Sequence, residues 1–232
     1  MKNINVNNLK DVVHDLKIPI TSIMGFVELL QNGTHDTKTQ HEFYDIIMSE
    51  SKRLISLIDD ILHKPENSSS PEFNKCNINV QINKYLKELS PLATKKNIEI
   101  SLNINADDVY VPVPENKISR ILTNIIENAI KYNKEKGKIS VDINQTGQKV
   151  YVKITDTGIG IPDSDLQKIF NKNYRSDISK QLNISGSGLG LAIAKDFAEE
   201  YGGSIHVKST LGEGTEFTIS FPTYDSNGSK NF

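Results

Sequence analysis

The sequence predicts an α+β chain in two parts: an N-terminal antiparallel helical hairpin and, behind it, an α/β sandwich. Three observations predict this. Apolar residues between 9 and 61 recur at helical spacing with one interruption. A stretch rich in Pro and Ser follows them. Beyond it, helical and strand-like runs are grouped rather than strictly alternating, which is the pattern of helices laid on a sheet.

In the first part, Leu9, Val13, Leu16, Ile20, Ile23, Val27 and Leu30 alternate at spacings of four and three, a heptad-like seam that wants a partner helix. Gly33, Thr34 and Asp36 punctuate it, and a second helical pattern runs through Phe43, Ile47, Leu54, Ile58 and Ile61. A hairpin with a single apolar seam has too little core to stand alone, so pairing into a dimeric four-helix bundle is expected. Packing of the hairpin onto the rest of the chain is the alternative.

The segment His63-Lys-Pro65-Glu-Asn-Ser-Ser-Ser-Pro71 has no periodicity and reads as a linker. The expected division is therefore hairpin 1–63, linker 64–72, folded domain 73–222 and flexible tail 223–232. Within the folded domain, 80–95 reads as a helix, 98–104 and 108–113 as strands, and 115–132 as a strong helix. Strands at 138–145 and 149–155 flank a turn at Gly147. A section rich in Gly and polar residues spans 157–187, a helix runs on to Tyr201, and strands 203–209 and 215–221 join through Gly212 and Gly214.

Composition sets bounds. The 232 residues carry a formal net charge of -2, which offers no electrostatic argument for nucleic acid or an anionic membrane as partner. Cys76 is the only cysteine, so no intramolecular disulfide can form, as suits a reducing compartment. There is no apolar run of about 18 residues and no signal-peptide core, so a soluble, cytoplasmic chain is expected. Any membrane attachment would come from a sensor segment ahead of this chain.

Chemistry concentrates in the second part. On the helix 115–132, Ile118, Ile121, Leu122, Ile125, Ala129 and Ile130 form an apolar face, while Asn124, Asn128 and Lys131 share the opposite one. Asparagine is a poor mid-helix residue, so two on one stripe invite a functional reading, although a solvated face explains them as well. The run Val150, Val152, Ile154 ends in Asp156, whose carboxylate at a strand end can accept from an exocyclic amine such as that of adenine. Gly158 and Gly160 then let backbone approach a flat ring and phosphates without a Cβ in the way. Gly186-Ser-Gly188-Leu189-Gly190-Leu191 opens a helix, presenting free N–H groups and the positive dipole end to a phosphate. The long stretch between the glycine clusters suits a lid; it carries Phe170, Tyr174 and Arg175, the last able to neutralise a γ-phosphate.

Taken in order, Asn124-x3-Asn128-Ala-x-Lys131-Tyr132, Asp156-x-Gly158-x-Gly160, Phe170 and Gly186-x-Gly188-Leu189-Gly190 resemble the N, G1, F and G2 boxes of sensor histidine kinases. Gly212-x-Gly214-Thr215 resembles their closing glycine turn. The domain is thereby similar to the Bergerat-type sandwich of gyrase, Hsp90 and MutL, and no Gly-x4-Gly-Lys-Ser/Thr loop occurs in the chain. The resemblance implies ATP or ADP with Mg²⁺ in the pocket: Asp156 on adenine, Asn124 and Asn128 holding the metal, Lys131 on phosphate. Tyr132, Gly158, Gly160, Phe170, Gly186, Gly188, Leu189, Gly190 and Thr215 would line the nucleotide.

His14-Asp15-Leu-Lys-Ile18-Pro19 stands one residue off the seam and so projects from the hairpin surface. It resembles the H box of the same family, which implies that His14 becomes phosphohistidine with Asp15 as general base. Pro19 is expected to kink or loosen its helix. His35, His41, His63 and His206 have no such context. One departure stands out. Many members place Thr or Asn four residues after the histidine to orient water for dephosphorylation, and Ile18 has neither donor nor acceptor. The resemblance thus implies a kinase that phosphorylates itself and then an aspartate on a response regulator receiver domain, with weak phosphatase action. A nucleotide-binding regulatory module and an ATPase of the gyrase kind are the rival readings.

Overall fold

The computed structural model describes residues 6–62, 75–106, 108–172, 174–182, 184 and 188–223. The chain folds as two compact units, Met1–Ser68 and Ser69–Phe232, and each is described by itself. No helix among the described residues is long and apolar enough to cross a membrane.

The first unit is a pair of helices, α1 Val6–Asn32 and α2 Thr37–Leu62. Their turn is tightly specified. The backbone N–H of Gly33 and a ring nitrogen of His35 both bond the carbonyl of Leu29, at 3.1 and 3.0 Å. The carboxylate of Asp36 takes the N–H of Thr39 at 2.9 Å and caps α2, which holds its carboxyl below the usual aspartate range. Phe26 and Phe43 meet across the hairpin with ring centroids 5.3 Å apart. The apolar seam divides on folding: Leu16, Ile23 and Leu30 are partly buried, whereas Val13, Ile20 and Val27 stay exposed.

The second unit is a five-stranded sheet with helices on it. The order is β2 Glu99–Ile104, β4 Lys138–Thr146, β5 Lys149–Asp156, β7 Gly214–Pro222, β6 Ser204–Thr210; β2 and β4 run parallel and the other pairs antiparallel. Alternation builds it. Val150, Val152 and Ile154 on β5 and Phe217, Ile219 and Phe221 on β7 face the helices and are buried. The central helix α4, Glu115–Lys131, packs between α3, Ile78–Lys95, and α7, Gly190–Glu200, and buries Ile118, Ile121, Leu122, Ile125, Ile126, Ala129 and Ile130.

One expectation needs correction. The run 108–113 does not join the sheet; only Tyr110–Val111 pairs, as β3, with Cys76–Asn77, as β1, in a separate antiparallel ribbon. Pro112 and Pro114 have no N–H to give a ladder, which ends the strand after two residues. Thr223, the first residue of the expected tail, is buried and its N–H bonds the carbonyl of Gln148 at 2.9 Å. The linker 64–72 and the residues 224–232 lie outside the described residues. The lid stretch contains two short helices, α5 Asp163–Leu166 and α6 Asp177–Gln181.

Candidate nucleotide-binding site

Three elements end at one place. β5 stops at Asp156, α4 stops at Lys131 with Tyr132 as its cap, and β7 begins at Gly214 directly opposite, with Asp156 paired to Thr215 in the sheet. Asp156 is only 7% exposed. Enclosure disfavours its ionised form and pushes the carboxyl up to about 6, against the opposing pull of the backbone N–H groups of Gly158 and Thr215.

The loop after Asp156 is strapped on both sides. The N–H of Ile159 bonds the carbonyl of Tyr132 at 3.0 Å, and the carbonyl of Ile159 accepts the N–H of Gly212 at 2.8 Å. The N–H of Ile161 bonds the hydroxyl of Ser209 at 2.8 Å. That hydroxyl donates to the carbonyl of Gly214 at 2.7 Å, so the neighbouring hydroxyl of Thr215, 2.9 Å away, must be the donor between the two. At the loop's start, Thr157 donates to the Asn133 side chain at 3.3 Å and accepts the N–H of Lys138 at 2.9 Å.

The glycines are explained by this strapping. A Cβ on Gly158 would lie 2.3 Å from the carbonyl oxygen of Tyr132, and one on Gly160, where φ is 69°, would lie 2.1 Å from that of Thr210. Both are therefore needed for close approach of protein backbone, whatever a ligand asks in addition.

On α4, Asn124 and Asn128 are both partly buried. The amide nitrogen of Asn124 is enclosed and makes no hydrogen bond, while its side-chain oxygen lies beside Gly190 at the start of α7, 2.8 Å from where a Cβ would stand. Leu189 precedes α7 with no side-chain cap, and Gly188 takes φ 74°. Gly186 lies outside the described residues. No group of three His, Cys, Asp or Glu side chains that could hold a metal occurs among the described residues. The neutral amides of Asn124 and Asn128 fit a Mg²⁺ whose remaining ligands are water and phosphate.

The lid is folded upon itself. The guanidinium of Arg175 donates to the carbonyl of Ile184, and the N–H of Ile184 returns to the carbonyl of Ser179 at 3.0 Å. Ser179 is buried and meets the Tyr132 hydroxyl, which burial pushes up from the ordinary phenol range. Lys131 lies near the same ring, its Nζ 5.4 Å from the centroid. Phe170 packs on the edge of the core, with Lys195 of α7 at 5.3 Å from its ring centre.

In the hairpin unit, His14 and Asp15 sit on α1, their side chains outside the described set. α1 runs through Pro19 without a break. Pro19 has no N–H to return to the carbonyl of Asp15 four residues earlier, so the loosening expected of it is confined to one missing hydrogen bond beside His14. Ile18, on the face of His14 one turn later, is 45% exposed.

The structure thus brings Asp156, Gly158, Gly160, Thr215 and Tyr132 into linked contacts and sets Asn124 against Gly190. Sequence reading missed Asn133, Thr157, Ser179, Lys96 and Ser209: the bonds that tie them to the site, Thr157 to Asn133, Ser179 to Tyr132, Lys96 to the end of α4 and Ser209 to Ile161, join residues far apart in sequence and leave no local signature.

Comparison with known proteins gives the site its context. Residues 114–225 match the family described as histidine kinase-, DNA gyrase B-, and HSP90-like ATPase, and residues 7–65 match the His Kinase A (phospho-acceptor) domain. The sensor histidine kinase WalK of Bacillus subtilis is 33% identical over 217 residues, covering 91% of this chain and 36% of that protein. The adaptive-response sensory kinase SasA of Synechococcus is 32% identical over 92% of this chain and 58% of its own length. This chain therefore spans between about a third and three fifths of these relatives. Among solved structures, the histidine kinase ThkA in complex with response regulator protein TrrA is similar at TM-score 0.67, with 27% identity over 91% of this chain and 59% of that one. The mycobacterial sensor histidine kinase MprB is similar at TM-score 0.57, with 25% identity over 64% of this chain and 96% of that one.

Proposed function

We propose that this chain, which belongs to the sensor histidine kinases, uses ATP to phosphorylate itself on His14 and then passes the phosphoryl group to an aspartate of a response regulator. The observation that carries the reading is the enclosed carboxylate of Asp156, set at a strand end between two strapped glycine turns, the first of them bonded to the carbonyl of Tyr132 at the end of α4. Asp156 accepts from the adenine amine, Tyr132 lines the ring, and Lys131 and the N-terminus of α7 meet the phosphates. Mg²⁺, when bound with nucleotide, would sit against the amide oxygens of Asn124 and Asn128 and supply charge for the phosphates. Arg175, which here donates to the carbonyl of Ile184 within the lid, would exchange that bond for a γ-phosphate when nucleotide is bound.

In phosphoryl transfer a protein mostly positions groups and stabilises charge, and these residues supply both. On α1, Asp15 holds the imidazole of His14 and takes its proton as the ring nitrogen attacks. The hairpin works as a homodimer, completing a four-helix bundle with the exposed half of its seam, and the chain acts in the cytoplasm. ThkA, solved with its response regulator, supports such a regulator as partner here.

Incubation of the chain with Mg²⁺ and γ-labelled ATP, wild type beside His14→Gln, tests the reading. Acid-labile label in the wild type alone is the expected result. Nucleotide binding without any label would favour a regulatory module instead.

A further inference from the structure

Lys96 follows the last turn of α3 and reaches across to the far end of α4. Its ammonium group donates to three backbone carbonyls there: Lys131 at 2.7 Å, Ile130 at 3.2 Å and Asn133 at 3.4 Å. Carbonyls at a helix C-terminus lack intrahelical donors and carry the negative end of the dipole, so a cation among them satisfies both. The one carbonyl of this run that Lys96 passes over, that of Tyr132, accepts the N–H of Ile159. Four consecutive carbonyls are thus shared between one lysine and the glycine loop after Asp156. Lys96 is itself held in place, because its own carbonyl accepts the N–H of Lys136 at 3.1 Å.

We infer that Lys96 is a positioning residue for the nucleotide pocket: it clamps the last turn of α4 and, through the bond between Tyr132 and Ile159, sets the glycine loop against Asp156. The inference rests on the reading of this pocket as a nucleotide site. A strut that served α4 alone would affect stability and nothing else. Lys96 stands where the helix end also bears the loop, so its loss reaches the ligand. The carbonyl of Ile130 also accepts the N–H of Asn133 at 3.3 Å, so removing the charge of Lys96 takes one shared donor from three carbonyls, and the turn that presents Lys131 and Tyr132 loosens with it.

The test uses the whole chain, as wild type, Lys96→Met and Lys96→Arg, each below its own unfolding temperature. Affinity for ADP with Mg²⁺ is measured, together with hydrogen exchange at the Ile159 amide against the Val152 amide in mid-sheet. The expected results are binding about tenfold weaker in Lys96→Met, faster exchange at Ile159 with Val152 unchanged, and recovery of most of the affinity in Lys96→Arg. Wild-type affinity and wild-type protection of Ile159 in a folded Lys96→Met would overturn the inference, as would equal loss in Lys96→Arg. Should Lys96→Met fail to fold, Lys96→Gln, which keeps an amide donor, is held to the same affinity and exchange criteria. A wild type that binds no ADP would overturn the nucleotide reading and this inference together, whereas binding that is indifferent to Lys96 removes only the lysine's role.

Discussion

The backbone N–H of Gly158 donates to the Asp156 carboxylate at 2.8 Å, inside an enclosure that still pushes that carboxyl up to about 6. This sets the sign of the pH effect. The ordinary value is 3.8, so between 3.8 and about 6 the folded chain keeps a proton that the unfolded chain has released. The ligand-free domain therefore loses stability as pH rises through that window and levels off above it. Nucleotide binding runs the other way, because the ionised carboxylate is the better acceptor for the adenine amine. ADP affinity is expected to fall by up to about tenfold per unit below pH 6, and Asp156→Asn should abolish the dependence. Titration calorimetry between pH 5 and 8 checks it; a flat profile in the wild type would remove Asp156 from adenine recognition.

Gly160 allows a prediction with its own control. An alanine there meets left-handed backbone and the carbonyl of Thr210, which the β6–β7 hairpin holds in place. Gly147 has a similar φ, 58°, with nothing within 4 Å of the added Cβ. Gly147→Ala should cost about 1 kcal/mol from backbone strain alone, and Gly160→Ala at least about 2 kcal/mol. Urea unfolding of both variants separates strain from collision; equal losses would mean that the loop yields freely.

What the sequence disclosed and what it hid differ in range. Helix α4 was readable because its apolar face repeats at helical spacing, and β5 because Val150, Val152 and Ile154 alternate up to Asp156. The pocket's motifs were readable because each is contiguous. The struts were not: Lys96 meets α4 some 35 positions on, and Ser209 meets Ile161 across 48. Neither has any local periodicity to betray it. The run 108–113 misled because its valines favour a strand while Pro112 and Pro114 withhold the donors that a sheet requires.

The hairpin predicts its own association. Val13, Ile20, Met24 and Val27 form one stripe on α1 and are exposed in the single chain, as are Tyr44 and Met48 on α2. Burying such a stripe against a second copy gains roughly 1.5–3 kcal/mol for each large side chain covered. Ile20→Asp should therefore convert a dimer to a monomer in sedimentation equilibrium, while the unfolding transition of the sheet domain stays where it was. A wild type that is monomeric at every concentration would defeat the bundle.

Ile18 bears on the fate of the phosphorylated regulator. It lies one turn after His14, on the same face of α1, and its side chain is exposed. An isoleucine there can neither donate to nor accept from a water approaching a partner's phosphoaspartate. Autophosphorylation does not need that water, so the kinase step should be indifferent to the residue. A threonine would restore a hydroxyl at the position without disturbing the helix, since threonine at an exposed helical site costs only a few tenths of a kcal/mol. Ile18→Thr is accordingly expected to speed dephosphorylation of a phosphorylated regulator by about tenfold, with the rate of labelling on His14 unchanged. Release of phosphate from the regulator, monitored with wild type and variant side by side, is the measurement. An unaltered rate would mean that the exposed isoleucine does not limit the reverse reaction, and that water is oriented from elsewhere on α1.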